Sequence, residues 1–237
     1  MQKQKGNMYE WVTHTYNPIK GLCTHHCSYC YMNPIYHRFK QNPNLRLDAK
    51  ELGVNLGSNN VIFVGSSTDL FAKEVPSSWI QKVFDHCLIY NQNKYLFQSK
   101  NPARFLEPDL ISHQLMQRKE SVFFATTIET NREEPKVSDA PSMKERIDAM
   151  VQLRKMGYKV MVTMEPLMDF DLDDVLKIMA KIQPFQVNIG FNTNRAVHLP
   201  EPTKEKTLDL IHALEKFTTV EVKSNSSRVL GGDKYLR

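Results

Sequence analysis

Lys159-Val-Met-Val-Thr-Met164, Leu172-Asp-Asp-Val-Leu-Lys-Ile-Met-Ala-Lys-Ile182 and Gln186-Val-Asn-Ile-Gly190 follow one another along the chain, and their reading decides the fold. The outer two are short and largely apolar, the pattern of parallel strands covered on both faces. In the middle run, Leu172, Val175, Leu176, Met179 and Ile182 fall on one face of a helix, an apolar stripe suited to covering a sheet. Together they make a strand–helix–strand unit.

The same exchange extends in both directions. Val61 to Gly65, Tyr95 to Gln98, Val122 to Thr127 and Val220 to Val222 read as further strands, and a first strand is expected near Tyr9 to Thr15. Ser142 with Glu145 forms a capping box opening a helix to about Met156, where Gly157 stops it. Ile80, Val83, Phe84, Cys87 and Leu88 share one helical face, which makes Cys87 a buried structural cysteine. Six or seven such units, joined by right-handed crossovers, curl into a partial or complete barrel. The expected fold is α/β: a partial (β/α)6-type barrel with parallel strands and outer helices, one domain over residues 1–237. In such folds strand C-terminal ends face the active site. That rule singles out the cysteine-rich loop, residues 65–69, 98–100 and 127–131, Glu165, and residues 188–194.

At 237 residues, with 41% hydrophobic and 24% charged residues, the chain is of ordinary globular composition, which excludes collagen-like, disordered and membrane classes. Its apolar runs are too short to span a bilayer, and Met1 to Gly6 lacks the apolar stretch of a signal peptide, so a cytoplasmic location is expected. The net charge of +5 leans toward a polyanionic partner, although the lysines are spread along the chain without a block.

Three of the four cysteines lie in Gly21-Leu-Cys-Thr-His-His-Cys-Ser-Tyr-Cys-Tyr31. This C-x3-C-x2-C spacing suits a metal or cluster site in a reducing compartment. Three thiolates can bind three irons of a cubane and leave the fourth open to an outside ligand. A structural zinc held by the cysteines and His25 or His26 is the competing reading, which would make the chain a noncatalytic nucleic-acid-binding module. His25 and His26 are poorly spaced for that role and read as loop residues beside the cluster.

Cys23, Cys27, Tyr29 and Cys30 match the C-x3-C-x-aromatic-C motif, so the chain resembles the radical S-adenosylmethionine (SAM) superfamily. The order of pieces looks like the spore photoproduct lyase-related branch and, more closely, phage Gp37/Gp68-type radical SAM proteins. Thr68-Asp69, Gln98-Ser99-Lys100, Glu129, Arg146 and Glu165-Pro166 carry this likeness over nearly the full length. The resemblance implies a [4Fe-4S] cluster on Cys23, Cys27 and Cys30. The cluster reductively cleaves SAM to a 5'-deoxyadenosyl radical that abstracts hydrogen from substrate. It also implies an external electron donor of flavodoxin or ferredoxin type.

In that family the second strand end holds the SAM amino group, which makes Gly65, Ser66, Ser67 and Asp69 candidates here. The common Gly-Gly-Glu form is missing. Lys100 is expected to pair with the SAM carboxylate, Thr127 or Glu129 to bind the ribose hydroxyls, and Tyr29 to shield the cluster or touch adenine. His14, Tyr31, Glu165, Asn188 and Asn192 are substrate-side candidates, with Trp11, Tyr16 and Asn194 as weaker pocket-lining ones. No side chain is singled out as catalytic. The leading substrate class is a nucleic-acid base or nucleotide; a peptide or small metabolite is the alternative. No second cysteine cluster follows Cys30, so one cluster must suffice.

Overall fold

A computed structural model describes residues 1–3, 9–133, 135–194 and 196–231. In chain order the elements are β1 Gln2–Lys3, β2 His14–Tyr16, β3 Ile19–Lys20, α1 Met32–Arg38, β4 Arg46–Leu47 and β5 Val61–Val64. They continue as α2 Ser77–Ile89, β6 Lys94–Gln98, α3 Pro108–Ile111, β7 Val122–Thr127, α4 Met143–Lys155 and β8 Lys159–Met164. Last come α5 Leu172–Ile182, β9 Gln186–Ile189, α6 Lys204–Leu214, β10 Thr219–Val222 and α7 Ser227–Leu230.

Eight strands form one sheet in the order β1-β2-β5-β6-β7-β8-β9-β10. All neighbours from β2 to β10 pair in parallel, and β1 alone runs antiparallel, against β2. The expected α/β architecture with outer helices is therefore present. Among the described residues no pairing joins β1 to β10, so the sheet is open and the complete barrel is not formed. No helix among the described residues is long and apolar enough to cross a membrane.

Side-chain alternation splits the strands into two unlike faces. Tyr95 and Phe97 of β6, Phe124 of β7, Val160 and Val162 of β8 and Val187 and Ile189 of β9 belong to the large core under the helices. Cys87 lies there, fully buried on α2 as expected. The inner face holds a smaller cluster of Phe63, Leu96, Ala125 and Met161, closed by Tyr9 and Val12. Further along the same strands the inner positions turn polar: Gln98, Thr127, Thr163 and Asn188. The inner face thus runs from apolar to hydrogen-bonding toward the strand C-terminal ends.

The first strand departs from its expected position. Residues 9–12 make a turn, with the Val12 amide donating to the Tyr9 carbonyl at 3.0 Å, and pairing begins only near His14. The reason is packing: the Tyr9 ring stacks on Trp11 and Phe63 across the sheet's inner face. The apolar residues that suggested a strand are a plug.

α4 opens with the expected capping box, in which the Ser142 hydroxyl accepts from the Glu145 amide and the Glu145 carboxylate accepts from the Ser142 amide. Gly157 follows its end at φ 87°, a left-handed turn that a side chain would strain. Ser142→Ala is expected to lower stability by about 1 kcal/mol, read as a shifted urea midpoint at constant slope.

Candidate active site

The chain between β2 and β5 leaves the sheet to form the cysteine loop. β3 and β4 pair at its base. The Gly21 amide donates to the Tyr36 hydroxyl of α1 at 2.8 Å, and Thr68 Oγ1 donates to the Gly21 carbonyl at 2.7 Å. Ser28 N donates to the Val137 carbonyl at 2.9 Å, and Asp139 N donates to that of His25 at 2.7 Å. The loop is therefore gripped by the segment after β5 on one side and the segment after β7 on the other.

Cys23, Cys27 and Cys30 are free thiols of intermediate exposure. Burial, with the Asp69 charge adding to it, pushes the Cys23 thiol up to about 12. Burial also raises Cys27, against the pull of Lys100. Such thiols stay protonated until positive charge arrives, and a bound metal supplies it. Among the described residues no three His, Cys, Asp or Glu side chains are gathered closely enough for one ion. Three free thiols are nonetheless the soft, ionisable donors that an iron–sulfur cluster takes, so the chemistry of the donor set fits a cluster. His25 and His26 both turn to carboxylates outside the cysteine set, Asp69 at 2.8 Å and Asp139 at 3.1 Å.

Two carboxylates, the largely covered Asp69 and the buried Glu129, flank the loop. Asp69 accepts through Oδ2 from His25 Nε2, Ser99 Oγ at 2.9 Å and the Lys100 amide at 3.0 Å, and through Oδ1 from the Phe71 amide at 2.9 Å. Burial alone would raise its carboxyl, but His25 and the amides outweigh it and hold it below the ordinary value. Glu129 accepts from the Tyr29 hydroxyl and the Lys100 ammonium through Oε1, and from Arg146 Nη1 at 2.9 Å through Oε2. Here too burial pushes upward, yet Lys100 and Arg146 win and leave the carboxyl at about 2. Lys100 Nζ also sits 5.3 Å from the centre of the Tyr29 ring.

Across the mouth, the half-exposed Tyr31 donates from its hydroxyl to the Ser66 carbonyl at 3.0 Å. Ser66 Oγ and the Ser67 amide both donate to Asn17 Oδ1. Glu165, before a cis bond to Pro166, accepts from Lys223 Nζ at 2.6 Å and Asn225 Nδ2 at 2.8 Å. A Cβ at Gly190 would lie 2.8 Å from Glu165 Oε1, so glycine leaves room for this network. Lys223 Nζ lies 4.8 Å over the Tyr9 ring, and the Tyr9 hydroxyl joins Gln98 and Thr163.

Tyr29, Asp69, Lys100, Glu129 and the three cysteines are thus brought together, with Gly65, Ser66, Ser67, Tyr31 and Glu165 around the same mouth. Thr127 and Asn188 lie lower, in the polar layer, where Gln98 Nε2 reaches Thr127 Oγ1 at 3.4 Å and Gln186 Nε2 donates to Asn188 Oδ1 at 2.7 Å. His14 is elsewhere: it shares its strand face with Tyr16, whose ring packs on His86 of α2, and it contacts Thr13 at 2.9 Å. Asn192 spends its side chain on its own loop, donating to the carbonyls of Asn194 and Val197. Sequence reasoning missed Tyr9, Lys223 and Asn225. The signal for Lys223 is its place directly after the Val220–Val222 run, at a strand C-terminal end.

The fold is similar to that of solved spore photoproduct lyases. One, complexed with dinucleoside spore photoproduct, is 12% identical with a TM-score of 0.63, over 92% of this chain and 78% of that one. A mutant with bound AdoMet and dinucleoside spore photoproduct gives a TM-score of 0.64 at 12% identity, with the same coverage of both chains. No curated protein matches the sequence. Residues 7–182 match the family described as Protein of unknown function (DUF5131), and the chain belongs to that family.

Proposed function

We propose that this protein is a radical SAM enzyme of one domain, with Cys23, Cys27 and Cys30 holding a [4Fe-4S] cluster. The observation that carries the reading is the placement of three free thiols on a clamped loop after the first parallel strand, beside the polar end of an open sheet. When bound, the cluster supplies the electron that splits SAM into methionine and a 5'-deoxyadenosyl radical. The chain's own residues bind and orient. The Gly65-Ser66-Ser67 turn is our assignment for the SAM amino group. Lys100 would pair with a SAM carboxylate by sharing or releasing Glu129, and Thr127 or Glu129 would bind the ribose hydroxyls. Tyr31 and the Glu165–Lys223–Asn225 network face the substrate.

The substrate class we favour is a nucleic-acid base or nucleotide. The similar lyase structures hold a dinucleoside photoproduct, and the chain carries a net charge of +5. Cys87, buried on α2, is too far inside the helix-side core to return hydrogen to a product, so we do not extend the lyase reaction itself to this chain.

Metal analysis after anaerobic reconstitution tests the reading. Iron and sulfide in equal amounts are expected, together with SAM binding by the loaded protein. Zinc without sulfide would support the binding-module alternative.

A further inference from the structure

Each half of the cysteine loop carries one side chain that reaches a carboxylate at a strand end. His25 lies between Cys23 and Cys27 and donates to Asp69. Tyr29 lies between Cys27 and Cys30 and donates to Glu129. The two carboxylates come from different strand ends, five residues after β5 and two residues after β7. Lys100, two residues after β6, joins them: its amide donates to Asp69 and its ammonium to Glu129. The result is a closed circuit, His25–Asp69–Lys100–Glu129–Tyr29, that begins and ends in the cysteine loop.

We propose that Asp69 and Glu129, coupled through Lys100, form a two-point clamp that sets the positions of the three cysteine thiols before a cluster is built. The proposal rests on the radical SAM reading and deepens it, turning expected SAM ligands into positioning residues. Saturation supports this. A carboxylate offers about four acceptor sites, and the side chain and backbone partners of Asp69 occupy that number. Three of the four sites of Glu129 are taken by Tyr29, Lys100 and Arg146. Asp69 thus has no acceptor site to spare for a ligand and Glu129 has one, while both follow on strands of the same sheet. Hydrogen bonds of this kind, charged and shielded from water, are among the stronger ones in a protein and restrict the loop accordingly.

The loop-side partners give a clean test, because removing His25 or Tyr29 hydroxyl leaves each carboxylate its strand-side donors. In the reduced, metal-free protein, amide hydrogen exchange over residues 22–31 and the alkylation rates of the three thiols are measured for wild type, His25→Ala, Tyr29→Phe and the double variant. Each single variant is expected to accelerate loop exchange roughly tenfold, with β6 and β7 amides unchanged. In the reconstituted proteins, iron per chain falls and the electron paramagnetic resonance signal of the reduced cluster broadens. Should His25→Ala also loosen β5 or β6, His25→Gln is expected to restore protection, since its amide nitrogen can again reach Asp69. Unchanged loop exchange in both single variants, with SAM affinity lost instead, would overturn the clamp and make these residues ligand contacts. If the wild type never assembles a cluster, the radical SAM reading fails, and the metal-free exchange still decides the clamp.

Discussion

Arg146→Met is expected to lose about 3 kcal/mol of folding stability at neutral pH, the lower end of the range for removing one partner of a buried ion pair. The lower end applies because Glu129 keeps Lys100 and Tyr29. Arg146 also donates to the carbonyls of Pro141 and Thr127, and methionine leaves both short of a partner. For a chain of this length the midpoint of thermal unfolding should fall by about 6–12 °C. The effect has a definite pH dependence. Glu129 is held at about 2 against an ordinary 4.5, so its contribution is fully present above about 4.5 and is lost as pH falls toward 2. On the usual conversion that contribution is on the order of 3 kcal/mol. The gap between wild type and Arg146→Met should therefore be widest above pH 5 and shrink as both proteins are taken to about pH 2. Urea midpoints at a series of pH values measure it; a constant gap would show that Arg146 acts through its carbonyl contacts alone.

Cys27→Ala should remove the function while sparing the fold. Cys27 is the middle cysteine of the motif, and its neighbours are the Lys100–Glu129 pair and Cys30 rather than the hydrophobic core. A two-thiolate remnant does not retain a cubane, so iron and sulfide in the reconstituted protein should fall to background and the visible absorbance of the cluster should vanish. Catalytic SAM cleavage should drop by at least about a thousandfold, since it depends on cluster chemistry that no side chain replaces. The urea midpoint should move by less than about 1 kcal/mol, as expected for a half-buried residue outside the core. Loss of activity with a comparable loss of stability would instead mark Cys27 as structural.

The sequence makes the sheet legible because both faces of its middle strands are apolar. β7 and β8 begin and end where the runs Val122–Thr127 and Lys159–Met164 do. Tyr9 to Val12 mislead for the same reason: their apolar side chains satisfy the inner face as a plug, and local pattern does not distinguish a plug from a strand. α1 leaves no periodic signal, being seven residues long with Pro34 within its first turn. The site divides likewise. The cysteine spacing is local and readable, and strand-end position flags Asp69, Lys100 and Glu129 as polar residues at the mouth. Their pairing with one another and with His25 and Tyr29 is a tertiary fact, made by three adjacent strands whose ends lie about thirty residues apart in sequence. That pairing is the ground on which we propose positioning roles for Asp69 and Glu129. His14 shares its strand face with Tyr16, on the helix side of the sheet, and Asn192 donates to the carbonyls of its own loop.

The central claim is that the cysteine loop holds a radical source. Its most direct measurement is 5'-deoxyadenosine formed anaerobically by the reconstituted wild-type protein with SAM and dithionite, beside Cys27→Ala treated identically. The radical SAM account predicts 5'-deoxyadenosine and methionine in equal amounts from wild type and none above background from Cys27→Ala. No product from a wild-type protein carrying its full complement of iron and sulfide, or equal product from both proteins, would contradict it.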